Sequence, residues 1–166
     1  MTLVLLIGGA RSGKSRFALE RAEREGAPVS FIATGEAFDV EMADRIERHK
    51  AERPDAWATI EEPVELERAL RSVPDGATAI VDCLSLWVAN VFELEPVDAL
   101  SAAAARTAAE RQGLTIAVTN EVGMGIVPDN ALARAYRDAL GRVNAEWAEA
   151  ADEAHLVVAG RTLSLS

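Results

Sequence analysis

The octapeptide GGARSGKS, residues 8–15, decides the fold class of this chain, because it matches the pattern G-x-x-x-x-G-K-[ST]. It follows an apolar run at residues 2–7, which predicts a buried strand, and it opens a predicted helix at residues 14–25. A loop in this position directs backbone N–H groups at one point, where the positive end of the helix dipole also attracts anions. The pattern therefore predicts a phosphate-binding loop in which Lys14 binds the β- and γ-phosphates and the Ser15 hydroxyl ligates Mg²⁺.

Short apolar segments alternate with helical segments along the rest of the chain. Further strands are predicted at residues 29–33, 77–81, 114–119 and 154–159, with an edge strand at 162–165. Helices are predicted at residues 40–52, 63–72, 84–92, 97–112 and 132–151. The inner stripe of the last helix is expected to contain Leu132, Tyr136, Leu140, Val143 and Trp147. This alternation predicts one α/β domain over residues 1–166, with a parallel sheet covered on both faces.

The composition excludes several classes of protein. The chain has 17 Lys and Arg against 27 Asp and Glu, and its formal net charge of −10 disfavours a nucleic-acid binder. Its single cysteine, Cys83, excludes a disulfide framework and a cysteine-based zinc site. No apolar run approaches the roughly 20 residues of a membrane span, and the first residues form no basic leader or cleavage site. We therefore expect a cytoplasmic protein without a membrane span.

A carboxylate follows the predicted strand at residues 77–81. Asp82 is at the position typical of an aspartate that helps to hold the Mg²⁺ of a phosphate-binding loop. An aspartate after a strand also commonly caps the next helix. We interpret the neighbouring Cys83 as a small buried apolar residue and not as a nucleophile.

Basic residues cluster in one short segment of this acidic chain: Arg45, Arg48, His49, Lys50 and Arg53. Helical spacing places Glu41, Arg45 and His49 on one face. Spacing and charge alone favour a solvated amphipathic helix with Glu–Arg pairs. Alternatively, an anion docks here, and the neutral imidazole of His49 attacks phosphorus while the arginines stabilise the developing charge. The second histidine, His155, is interpreted as structural.

A glycine-punctuated loop follows the predicted strand at residues 114–119. It contains Asn120, Glu121, Gly123 and Gly125, at the sheet edge where α/β folds bind ligands. Contact with a substrate or a subunit is one explanation of this loop, and simple chain reversal is the other.

Seven segments occur in the same order as in one known family. They are GGARSGKS at 8–15, IATG at 32–35, EMADRIERHKAERP at 41–54, VDCLSLW at 81–87, VTNEVGMGIVP at 118–128, ARAYRDALGRVN at 133–144 and VVAG at 157–160. Over nearly its whole length, the chain resembles the bifunctional adenosylcobinamide kinase / adenosylcobinamide-phosphate guanylyltransferases of cobalamin biosynthesis. The resemblance implies a P-loop NTPase fold with a RecA-like, mostly parallel sheet and helices on both faces, assembled as a homotrimer.

The resemblance also implies two reactions. A nucleoside triphosphate, GTP or ATP, phosphorylates adenosylcobinamide; GTP then guanylylates a histidine, which is His49 by its place in the motif. GMP passes from this histidine to adenosylcobinamide phosphate and gives adenosylcobinamide-GDP. The residues that match the family's nucleotide-contacting segments are Gly8, Gly9, Ala10, Arg11, Ser12, Gly13, Lys14, Ser15, Ala33, Thr34, Gly35, Lys50, Ala51, Glu52, Arg53, Glu61 and Asp82.

Two features depart from simple expectation. The tail at residues 161–166 lacks the lysine found in many family members, and the Asn-Lys-x-Asp guanine signature is absent because Glu121 follows Asn120. The guanine preference therefore rests on the resemblance alone. Two alternatives remain: a small-molecule kinase in which His49 only binds phosphate, and a RecA-like nucleotide-binding module that regulates or assembles without group transfer.

Overall fold

Seven strands form one sheet in the computed structural model, which describes residues 1–36, 44, 50, 53–93 and 96–165. The strands are β1 (Thr2–Gly8), β2 (Val29–Ala33), β3 (Ala58–Glu61), β4 (Thr78–Asp82), β5 (Leu114–Asn120), β6 (Glu153–Val158) and β7 (Arg161–Ser164). The helices of the described part are α1 (Lys14–Glu25), α2 (Leu66–Ser72), α3 (Leu84–Val91), α4 (Val97–Glu110) and α5 (Ala131–Ala150). The sheet order is β3-β2-β4-β5-β1-β6-β7, and every pair is parallel except the antiparallel pair β6–β7.

Both faces of the sheet are covered by helices. Successive side chains of β1 alternate between the faces: Leu3 and Leu5 belong to the core shared with α2, α3, α4 and α5, whereas Val4 and Leu6 pack with Ala18 of α1. A strand buried on both sides reads as a continuous apolar run, which explains the sequence of β1. The predicted mostly parallel α/β fold, with helices on both faces, is confirmed.

The register brings the carboxyl ends of five neighbouring strands to one edge of the sheet. Gly8 of β1 pairs with Asn120 of β5, and Asp82 of β4 pairs with Ala33 of β2. Ala33 pairs in turn with Glu61 of β3. The loops that follow these strands therefore start side by side, and α/β folds bind ligands at this kind of edge.

The structure differs from the predicted elements at two places. β3 was not predicted, because three of its four side chains are exposed and give no apolar pattern. Leu132 was expected in the inner stripe of α5 but is 53% exposed, since the buried positions of this helix begin at Ala139. The first turn of α5 is thus largely exposed, and Tyr136 in the second turn is the first of the predicted stripe to pack against the core.

The helix predicted at residues 40–52 lies outside the described residues, apart from Asp44 and Lys50, which are both helical. Among the helices that the structure describes, none is long and apolar enough to cross a membrane.

Candidate active site

The loop between β1 and α1 closes around the side chain of Lys14. The ammonium Nζ donates to the carbonyl oxygens of Gly8 at 2.9 Å and Gly9 at 2.7 Å, and only 7% of the residue is exposed. Arg11 and Gly13 adopt positive φ angles of 56° and 104°. Residues in this conformation turn neighbouring N–H groups into one concavity, which favours an anion. The loop therefore holds a cation and N–H donors in place before a ligand binds.

Contacts with the β6 side of the molecule hold the shape of this loop. A Cβ atom on Gly8 would lie 2.3 Å from the carbonyl oxygen of Val157, so no side chain fits there. The N–H of Gly160, after β6, donates to the carbonyl of Ser12 at 2.9 Å. The phosphate-binding loop is thus supported by residues far from it in sequence.

The end of β4 lies one strand away from β1, with β5 between them. Burial, with a smaller contribution from the charge of Asp82, raises the pKa of the Cys83 thiol to about 11, and the charge of Lys14 opposes this shift. The thiol is therefore buried and protonated, as expected for a small apolar residue. Asp82 ends β4 at the same edge of the sheet where the loop that contains Lys14 follows β1.

A second concentration of charge lies at the β3 edge of the sheet. Lys50 Nζ is 2.8 Å from Glu61 Oε1, and this hydrogen bond is the main cause that lowers the pKa of Glu61. The guanidinium of Arg53 stacks on the ring of Phe31, with 3.5 Å between its Cζ atom and the ring centroid. Burial lowers the pKa of Arg53, whereas the charges of Asp82 and Glu61 raise it. The guanidinium of Arg53 at the β3 edge therefore interacts electrostatically with the carboxylate of Asp82 at the end of β4.

These charged residues border a cavity of about 350 Å³, a size typical of small-ligand sites. The cavity is lined by Lys50, Arg53, Pro54, Asp55, Trp57, Thr59 and Glu61. Two nitrogens of Arg53, Nε and Nη1, are buried without a hydrogen-bond partner in the described part of the chain. Buried polar groups are normally paired, and a guanidinium pairs best with carboxylate or phosphate. The cavity therefore suits a ligand that carries an anionic group.

The loop after β5 is anchored next to the phosphate-binding loop. The N–H of Glu121 donates to the carbonyl of Gly8 at 3.1 Å. The amide of Asn144, on α5, donates to the carbonyl of Asn120 at 3.0 Å and accepts from the Thr119 hydroxyl at 2.7 Å. Asn144 ends the segment ARAYRDALGRVN quoted for the family resemblance, but sequence reasoning assigned it no role.

Beyond this anchor, the loop exposes apolar side chains. Met124, Ile126 and Val127 are 79%, 98% and 64% exposed. Contiguous exposed apolar surface commonly marks an interaction site. The predicted residues Gly123 and Gly125 belong to this segment, and both explanations of the loop stay open.

The structure brings most of the predicted residues to one edge. The phosphate-binding loop follows β1, the stretch from Ala33 to Gly35 begins at the end of β2, and Asp82 ends β4. Lys50, Arg53 and Glu61 lie at the β3 end of this edge. The predicted residues His49, Ala51 and Glu52 lie outside the described residues. His155 is on β6, where its ring contacts Glu153 at 3.3 Å.

The sheet order and the loop after β1 define the class of this protein as a RecA-like P-loop nucleotide-binding fold. Two solved structures share this fold. The flagellar accessory protein FlaH of Methanocaldococcus jannaschii has a TM-score of 0.57 at 15% identity, with 99% of this chain and 78% of that one covered. A RadB recombinase has a TM-score of 0.55 at 14% identity, with coverage of 93% and 73%.

The family is also shown by sequence. The chain belongs to the family described as cobinamide kinase / cobinamide phosphate guanyltransferase (CobU), which matches residues 4–165. The bifunctional adenosylcobalamin biosynthesis protein CobP of Pseudomonas aeruginosa is 41% identical over 165 residues, which are 97% of this chain and 95% of that protein. The bifunctional adenosylcobalamin biosynthesis protein CobU of Salmonella typhimurium is 42% identical, with coverage of 95% and 96%. The family that the sequence motifs indicated is therefore confirmed.

Proposed function

We propose that this chain catalyses two successive transfers, first of a phosphoryl group to adenosylcobinamide and then of GMP to adenosylcobinamide phosphate. The observation that carries the proposal is the prearranged phosphate-binding loop, found in a chain whose family match extends from residue 4 to residue 165. Both transfers start from a nucleoside triphosphate, so one loop that binds the triphosphate serves both.

The first transfer is a displacement at the γ-phosphorus. The hydroxyl oxygen of the aminopropanol group forms a bond to this phosphorus, the bond to the β-phosphate oxygen breaks, and a nucleoside diphosphate leaves. Lys14, held by the carbonyls of Gly8 and Gly9, is positioned to stabilise negative charge on the β- and γ-phosphate oxygens. GTP or ATP can supply this phosphoryl group, because the loop binds phosphates and not the base.

The residues proposed to hold Mg²⁺ fit that ion. The Ser15 hydroxyl in the first turn of α1 and the Asp82 carboxylate at the end of β4 are hard oxygen donors, which Mg²⁺ prefers. Asp82 ends β4 at the edge of the sheet where the phosphate-binding loop follows β1, which supports this assignment. When bound, Mg²⁺ would neutralise charge on the phosphates and orient them.

The second transfer is proposed to proceed through His49. A ring nitrogen attacks the α-phosphorus of GTP and pyrophosphate leaves; a phosphate oxygen of adenosylcobinamide phosphate then attacks the same phosphorus and releases the imidazole. Lys50, the next residue in the sequence, is paired with Glu61 at the rim of the 350 Å³ cavity. The cationic side chains of Lys50 and Arg53 that line the cavity support an anionic ligand there. We assign the cavity to the guanosine phosphate, with Ala51 and Glu52 beside it in sequence.

The same family membership leads us to propose a cytoplasmic homotrimer in which residues 1–166 act as one domain. The described helices and strands all belong to one sheet and its two covered faces, which supports a single domain.

Labelling with radioactive GTP tests both steps. With α-labelled GTP and Mg²⁺, the full chain should acquire a label that is acid-labile and base-stable, as expected for a phosphorus–nitrogen bond. The label should disappear in His49→Ala and persist in the matched variant His155→Ala, since the chain has 2 histidines. An equal label in His49→Ala would overturn the assignment of the nucleophile.

The kinase step is measured with γ-labelled nucleotide and cobinamide. Lys14→Ala should lower kcat/KM roughly 100- to 1,000-fold, since it removes a prearranged charge from the phosphates. His49→Ala should keep this activity. A folded wild-type chain that phosphorylates cobinamide without protein labelling would be a kinase alone, and one with neither activity would fit a regulatory nucleotide-binding module.

A further inference from the structure

We propose that Thr34 is a positioning residue that holds Asp82 in place for Mg²⁺ and does not itself contact the nucleotide. This inference rests on the proposed role of Asp82 in binding Mg²⁺. It assigns to Thr34 a role that differs from the nucleotide contact expected for its sequence segment.

The hydroxyl of Thr34 is bound to the backbone next to Asp82. It donates its only hydrogen to the carbonyl of Cys83 at 2.8 Å and accepts the N–H of Cys83 at 2.9 Å. Thr34 is 0% exposed. Its side chain therefore has no surface and no hydrogen left for a phosphate or a base.

The backbone of Thr34 makes a third hydrogen bond, and we call the three bonds together the Thr34 clamp. Its N–H donates to the carbonyl of Asp82 at 3.2 Å and so extends the β2–β4 pairing by one residue beyond the paired Ala33 and Asp82. Two of these three hydrogen bonds are made to the peptide unit that joins Asp82 to Cys83, and the third is made to the next carbonyl, that of Cys83. A backbone held on both sides restricts the directions in which the Asp82 side chain can point.

Thr34 is itself held by α3, the helix that begins after Cys83. The side-chain amide of Asn90 donates to the carbonyl of Thr34 at 2.7 Å and to the carbonyl of Pro63 at 3.1 Å. Asn90, in the last turn of α3, therefore bonds to Thr34, which in turn bonds to Cys83 just before this helix begins. This circuit of buried and part-buried hydrogen bonds restrains the end of β4.

The opposite side of α3 is tied down as well. The phenol of Tyr136 on α5 donates to the carbonyl of Ser85 at 2.9 Å, and the Ser85 hydroxyl lies 3.0 Å from the Cys83 thiol. Thr34 differs from these residues because it bonds to the peptide groups of both Asp82 and Cys83.

The matched pair Thr34→Val and Thr34→Ser tests the clamp. Valine keeps the shape and removes the hydroxyl, whereas serine keeps the hydroxyl and removes a methyl group. The readout is the affinity of full-length protein for GTP carrying a fluorescent methylanthraniloyl group, measured with Mg²⁺ and with EDTA. Thr34→Val should raise roughly tenfold the Mg²⁺ concentration at which half of the Mg²⁺-dependent gain in nucleotide affinity is reached, since one buried hydrogen-bond pair is lost. Its affinity in EDTA should stay within about twofold of wild type, and Thr34→Ser should behave as wild type.

Two outcomes would overturn the inference. An unchanged Mg²⁺ requirement in folded Thr34→Val would show that the hydroxyl does not position Asp82. Equal weakening with Mg²⁺ and with EDTA would show that Thr34 contacts the nucleotide. If Thr34→Val does not fold, Thr34→Ala removes the same hydroxyl without added bulk and is measured in the same way.

Asp82→Asn separates this inference from the proposed function on which it rests. If Asp82→Asn abolishes the Mg²⁺ effect and Thr34→Val leaves it intact, only the clamp is wrong. If Asp82→Asn leaves the Mg²⁺ effect intact, the proposed metal ligand itself is wrong.

Discussion

The phosphate-binding loop and the β3-edge cavity both place positive charge at the same edge of the sheet, but they are built differently. Lys14 is buried, and its ammonium is bonded to two carbonyls of its own loop. At the β3 edge, the charged group of Lys50 pairs with a largely exposed carboxylate, and Arg53 keeps buried nitrogens without partners in the described region. The ammonium in the loop is thus bonded within its own loop, whereas the cations at the cavity pair with or stack on side chains of β3 and β2.

This difference indicates how two reactions can share one small sheet. A rigid loop loses little entropy when it binds a triphosphate, because its geometry exists beforehand. A cavity with exposed pairs can exchange protein contacts for ligand contacts at small cost, because surface ion pairs contribute little to stability. The loop thus suits a function common to both steps, and the cavity suits a group that binds in only one of them.

The largest effect on stability is expected at Gly8. In Gly8→Ala, the new Cβ would lie 2.3 Å from the carbonyl oxygen of Val157, so β1 and β6 must separate. We expect the free energy of unfolding, measured in urea, to fall by about 1–3 kcal/mol.

Gly9→Ala is the matched control, because no atom lies within 4 Å of a Cβ built there. It should lower stability by less than about 1 kcal/mol and should weaken nucleotide binding where the phosphates approach the loop. Equal stabilities of the two variants would contradict the view that β6 shapes the loop.

A smaller effect on the free energy of unfolding is expected from the titration of the buried Cys83 thiol. The folded protein raises the thiol pKa from 9.0 to about 11. The unfolded chain therefore loses its proton first, and stability that is fully present below pH 9 declines as the pH rises toward 11. At pH 10 the loss should be roughly 1 kcal/mol.

Cys83→Ala provides the reference for this measurement, since its stability should fall less steeply over the same pH range. Parallel pH profiles for Cys83→Ala and the wild type would show that the thiol titrates as it does in the unfolded chain.

The smallest stability effect is expected at Glu61. Because the Lys50–Glu61 pair is largely exposed, Glu61→Gln should change the free energy of unfolding by less than about 1 kcal/mol. The same variant should raise the KM for GTP in protein labelling, since Glu61 lines the cavity.

The adjacent Glu62→Gln is the control for position. Glu62 accepts the N–H groups of Val64 and Glu65 and binds Arg68, so it supports the start of α2 and is not among the residues that line the cavity. It should affect stability more than Glu61→Gln and leave the KM for GTP unchanged. A reversed pattern would contradict the assignment of the cavity.

Local sequence was sufficient to predict most elements near the site. β1, α1 and β2 appear where apolar runs and helix formers predicted them, within a residue at each end. β3 could not be predicted, because an exposed edge strand has no apolar pattern. Thr34 was expected from a motif, but its hydrogen bonds to Cys83 could not be inferred, because they join residues 49 positions apart.

The amino-acid sequence by itself determined the phosphate-binding loop, because eight consecutive residues contain the glycines, the lysine and the hydroxyl that phosphate binding requires. It also indicated the family, through seven segments that occur in the family's order. Only the tertiary structure decided what surrounds that loop. The stacking of Arg53 on Phe31, the clamp of Thr34 and the amide of Asn144 all depend on which strands become neighbours. Strand order is set by burial of both sheet faces, a property of the whole chain that no short segment contains.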